Sequence, residues 1–99
     1  MKKIQELVDH IDEELEGAKC YAEKYLEYKA DGNGAWANRY REMAQDELKH
    51  AGYIHEIAVT EIENLRKVYT PPIEMQEKWD EEHKKYVGRS TWIKQMLAM

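Results

Sequence analysis

The chain has 99 residues, 42% hydrophobic and 35% charged, which suffices for one small domain and is too apolar for a disordered tail. Fifteen Lys and Arg against twenty Asp and Glu give a net charge of −5 spread along the sequence, so no basic block engages a phosphate backbone and no nucleic acid partner is expected. No apolar run approaches the roughly 20 residues that cross a bilayer, Met1-Lys2-Lys3 leads into acidic amphipathic sequence, and the lone Cys20 excludes disulfide and CxxC frameworks, which together predict a cytoplasmic protein with no membrane partner.

Strand-like alternation is absent, and long segments rich in Glu, Lys, Leu, Ala and Tyr predict an all-α chain. A first helix is expected over about 3–29, with a stripe at three- and four-residue spacing through Ile4, Leu7, Ile11, Glu14, Ala18, Tyr21, Tyr25 and Tyr28. Glu14 interrupts that stripe, in line with Ile11 and Ala18, whereas Glu13 and Glu16 point roughly 100° and 200° away from it. Ala30-Asp31-Gly32-Asn33-Gly34 reads as a turn. A second helix over about 35–68 carries Tyr40, Met43 or Ala44, Glu47, His50 or Ala51, Ile54, Ile57 or Ala58, and Leu65, with Glu47 and His50 as its polar intruders. Thr70-Pro71-Pro72 is a hard stop, a third helix follows over about 73–87, and Gly88-Arg89-Ser90 precedes a short helix from about 90. The expected organisation is a single domain, an antiparallel hairpin over 3–68 with shorter C-terminal helices over 73–99. A two-helix hairpin has almost no net stability by itself, so a further surface must cover it.

In a hairpin, residues equidistant from the loop lie at one height. With the loop centred near residue 32, Glu14 lies level with His50 and within one turn of Glu47. All three intruders therefore meet. Ionised carboxylates in an apolar seam cost several kcal/mol each unless compensated, and a bound cation is the simplest compensation. Glu47-Leu48-Lys49-His50 is a Glu-x-x-His motif that sets a carboxylate and an imidazole about 5–6 Å apart on one helical face, a separation suited to one metal ion. Di-metal carboxylate bundles use two such motifs and two further Glu residues, so this chain holds half of the set and a twofold dimer completes it. Four carboxylates neutralise two divalent cations, and carboxylate with imidazole suits iron, manganese or zinc.

Glu14-Leu15-Glu16-Gly17-Ala18-Lys19-Cys20-Tyr21 followed by Asp46-Glu47-Leu48-Lys49-His50-Ala51 resembles the ferritin-like superfamily, most closely its half-length encapsulated-ferritin branch, over roughly residues 4–65. The resemblance implies a homodimer or higher homo-oligomer forming a ferritin-like four-helix bundle, with two iron ions per dimer held by Glu14, Glu47 and His50 of each chain. It implies oxidation of ferrous iron by oxygen for storage in an encapsulin shell, with Tyr21 close to the centre and Glu13 and Glu16 on the approach path. Ser90-Thr91-Trp92-Ile93-Lys94-Gln95-Met96-Leu97-Ala98-Met99 departs from that pattern, since it reads as an amphipathic helix and not as a Gly-Ser-Leu cargo tail.

Two other readings use the same residues. One keeps the centre and takes peroxide as oxidant; the other is a non-enzymatic helical module whose polar seam fixes register. Asp80 and His83 offer a second carboxylate-x-x-His pairing. If the third helix folds back about Pro71, His83 falls opposite Val59, roughly 13 Å along the axis from His50 and outside its coordination sphere within one chain. His55 and Glu56 are expected at the surface or an interface. Trp79, Tyr86, Trp92, Ile93, Met96 and Leu97 are expected to cover the hairpin or bind a neighbouring subunit, and Cys20 has no assigned role.

Overall fold

The computed structural model describes residues 2–99 as three helices, α1 (Lys2–Ala30), α2 (Gly34–Val68) and α3 (Ile73–Ala98), with no strand among the described residues. The first turn is set by two residues. Gly32 takes φ +77°, a left-handed value that only glycine adopts freely, and its N–H donates to the Lys29 carbonyl while Asn33 N–H donates to that of Tyr28. The Asn33 side chain then accepts the Trp36 N–H at 3.1 Å, which caps α2.

At the far end Pro71 and Pro72 end the α2 path. Pro72 caps α3 with φ −55° and ψ 149°, and its carbonyl accepts from the Met75 and Gln76 N–H groups. Lys78 reaches Gln5, Arg89 reaches Asp12 and Glu16, and Lys29 donates to the Met99 carbonyl, so α3 runs parallel to α1 and antiparallel to α2. The result is an elongated up-down-up bundle of 55 × 17 × 17 Å. None of its described helices is long and apolar enough to cross a membrane.

Two features differ from the sequence expectation. The C-terminal segment is one 26-residue helix, not two, and Gly88 lies inside it. One exposed glycine costs a helix only about 1 kcal/mol, and burial of Ser90, Ile93, Met96 and Leu97 against the hairpin carries the helix through it.

The α1 core stripe is also rotated by one residue. Val8, Ile11, Leu15, Ala18, Ala22 and Tyr25 are buried at alternating three- and four-residue steps, while Leu7, Tyr21 and Tyr28 pack at the rim. Leu15, at 0% exposure, takes the central position that the spacing gave to Glu14. Rotation is the cheaper solution, because it centres a leucine and leaves the carboxylate at a wettable edge. In α2 each pair left open resolves the same way, with Ala44, Ala51 and Ala58 inside in register with Ala37. Small residues there let α1 approach, and the larger Met43, His50 and Ile57 remain outside.

Candidate metal centre

The bundle leaves one side of the α1/α2 seam covered by α3 and the other uncovered. Asp12 and Glu16 face α3 through Arg89, at 3.5 and 3.1 Å. Glu14, a half-turn away from Glu16, faces the uncovered side together with Glu47 and His50.

There one donor atom from each of Glu14, Glu47 and His50 lies within 4.8 Å of the others. His50 Nδ1 is 3.7 Å from Glu14 Oε2, and the side chains grade outward from Glu14, 18% exposed, to His50, 54% exposed. Heights around the loop thus meet as the spacing predicts. The seam positions do not, since all three groups occupy its rim.

The two carboxyl groups perturb each other's titration in opposite directions. Their mutual hydrogen bond is the main cause that lowers the Glu14 pKa, with smaller help from His50 and His10, and the main cause that raises the Glu47 pKa, followed by burial and the Glu14 charge. Among the described residues neither forms an ion pair with a Lys or Arg, and the ion pairs Glu14 does make are to the imidazoles of His10 and His50. An acidic pair without a resident cation, flanked by a nitrogen donor, is the donor set that iron, manganese or zinc takes up. The residues fit a metal ion.

Two contributors were missed in the sequence. His10 Nε2 lies 3.3 Å from Glu14 Oε1, one turn back on α1, where it orients the carboxylate. The signal was its i, i+4 spacing to Glu14. Gly17 lies against the Glu47 carboxylate, where a Cβ would touch Oε2 at 3.4 Å.

Of the other expected site residues, Tyr21 is half-buried and tilts against Tyr40 at 6.1 Å, and Tyr40 stacks on Tyr28 at 5.6 Å. Glu13 is exposed and stands apart from the three donors. Glu16 is held on the α3 side by Arg89, away from the carboxyl pair. His83 is displaced from its expected place. It meets His55, not Val59, with His83 Nδ1 3.0 Å from His55 Nε2, because the extended linker over 69–72 sets α3 back by one turn. His55 is half-buried between Trp79 and Tyr86, ring centroids 5.9 and 4.2 Å away, and burial lowers its pKa with help from His83. Trp79 and Tyr86 cover the hairpin, Ile93, Met96 and Leu97 are buried, and Trp92 remains exposed. Glu56 and Cys20 are exposed.

Comparison of the chain with protein-family profiles, curated proteins and solved structures returned no match in any of the three, so a functional reading rests on the site itself.

Proposed function

We propose that this chain is one half of a ferroxidase whose di-iron centre forms between two copies, each supplying Glu14, Glu47 and His50. The observation that carries the reading is the convergence of these three donors within 4.8 Å on an uncovered face, where neither carboxylate is ion-paired to a Lys or Arg among the described residues.

The surroundings of the site support a second copy as the missing half. Trp36, Met43, His50 and Ile57 recur every seven residues along α2, and the three apolar members are 56%, 40% and 49% exposed on the face that carries the donors. A large apolar stripe around a half-complete donor set is what an isologous interface presents. Pairing such faces about a twofold axis gives a four-helix arrangement with α3 outside.

Iron is the substrate. Two ferrous ions each give one electron to dioxygen, which with two protons leaves as hydrogen peroxide, and the four carboxylates favour the more highly charged ferric product. The raised Glu47 pKa means that protons compete with metal for this carboxylate as pH falls. His10, hydrogen-bonded to Glu14, holds that carboxylate in position.

Anaerobic ferrous titration followed by measured oxygen consumption tests the reading. We expect saturation at one iron per chain and loss of turnover in Glu14→Ala and His50→Ala with helicity retained. Undiminished oxidation in both variants refutes it, as does a metal-free protein after purification in the presence of ferrous iron.

A further inference from the structure

A second feature lies on the other flank of α2. Between α2 and α3 runs an open groove of about 470 Å³, floored by Leu48, Gly52, Tyr86 and Leu97 and edged by Arg41, Lys49 and Lys94. Every charged residue that lines it is a cation, although the chain as a whole carries −5. The described ion pairs elsewhere use other lysines and arginines, and none engages these three. Gly52 lies under the Tyr86 hydroxyl, and that hydroxyl has no hydrogen-bond partner among the described residues.

Arg41 and Lys49 are eight residues apart on one helical face, roughly 12 Å along the axis. A compact anion reaches one of them at a time. A peptide with carboxylates two turns apart reaches both, and its intervening apolar side chain meets Leu48 and Leu97. Three exposed cations with no acidic partner along one groove offer complementary charge to an acidic ligand, which also covers the apolar floor.

We propose that the α2/α3 groove is a docking site for an acidic amphipathic segment of a partner protein. The carboxylates engage Arg41, Lys49 and Lys94, and a leucine-type side chain seats on Leu48, Tyr86 and Leu97. This surface is separate from the Glu14, Glu47 and His50 face and does not depend on the metal reading.

The test uses the full chain and a fluorescein-labelled synthetic helical peptide with glutamates at i and i+7 and leucines between them, read by anisotropy. We expect saturable binding, a fall in affinity of at least tenfold between 50 and 300 mM NaCl, and a fall of at least tenfold in Arg41→Gln/Lys94→Gln, whose exposed changes leave helicity intact. A peptide with lysine in place of glutamate should not bind. Equal affinity for the variant, equal affinity for the leucine-free peptide, or displacement by millimolar inorganic phosphate at constant ionic strength would each overturn the proposal.

Discussion

Glu47→Gln separates the charge cost of the site from its metal affinity. Two ionised carboxylates whose oxygens approach within 4.8 Å repel by about 3.5 kcal/mol at an effective dielectric of about 20, and by about half that where water reaches the pair. The Glu47 pKa is raised, so without metal the wild-type chain is destabilised as pH rises through the window between the ordinary carboxylate value and the raised one. The substituted amide keeps the shape and the hydrogen bond to Glu14 without the charge. At pH 7 and in chelator, Glu47→Gln should therefore melt about 7–14 °C above wild type, taking the water-screened repulsion of about 1.7 kcal/mol at about 4–8 °C per kcal/mol for a domain of this size. At pH 4.5 the gap should close. Ferrous iron under argon at about 100 times its Kd should stabilise wild type by about 2.7 kcal/mol and leave the variant unmoved, which reverses their order. The assay is thermal unfolding by circular dichroism at fixed protomer concentration, with and without metal. A variant that is less stable than wild type in chelator at every pH would mean that Glu47 is already paired with a cation, and the site reading would fall.

Further outcomes follow from individual contacts. His10→Ala should weaken iron binding about tenfold in calorimetry while leaving the melting temperature of the metal-free protein within a few degrees, because it removes an orienting partner of Glu14 and not a donor. Gly88→Ala, in an exposed helix interior with open space around the new Cβ, should raise stability by about 1 kcal/mol in urea unfolding. The His55 pKa is lowered, so its contribution is present above the ordinary histidine value and is lost as pH falls through the lowered one. The urea midpoint should accordingly drop between pH 7.5 and 5, and His55→Phe should flatten that drop. Asp12 and Glu82 border the same pocket and temper the effect, so a midpoint equally pH-dependent in His55→Phe would assign the change to them.

The helices and the first turn were legible because their signals are local. Gly32 and Asn33 close the turn with their own chemistry, and Pro71 and Pro72 terminate α2 irrespective of tertiary context. Heights along the hairpin also followed from counting residues outward from that turn, which is why Glu14, Glu47 and His50 meet. Rotation about each helix axis was not legible. It depends on the fit of α1 against the Ala37, Ala44, Ala51 and Ala58 face of α2, contacts between residues distant in the chain. Nonlocal packing also carried α3 through Gly88, while the extended linker over 69–72 set His83 against His55.

That rotation is what makes the site chemically usable. Had Glu14 occupied the place of Leu15, its carboxylate would be sealed between α1 and α2, where desolvation costs several kcal/mol and no cation can enter. At the rim it keeps contact with water, lies against Glu47 and His50 and faces outward on the same side as Met43 and Ile57. On the proposed reading, three donors would leave a transition metal short of its usual four to six ligands, and with α3 on the opposite flank of the seam the remaining ligands would have to come from the uncovered side. Water supplies ligands without supplying charge, whereas a second copy brings both carboxylates and a matching apolar stripe. Replacing Met43 and Ile57 by glutamate adds like charge to both halves of such an interface and leaves Glu14, Glu47 and His50 in place. The expected result is a monomer in sedimentation velocity that remains helical, binds ferrous iron at least tenfold more weakly and no longer consumes oxygen. A helical monomer with wild-type turnover would show that one chain completes the centre alone.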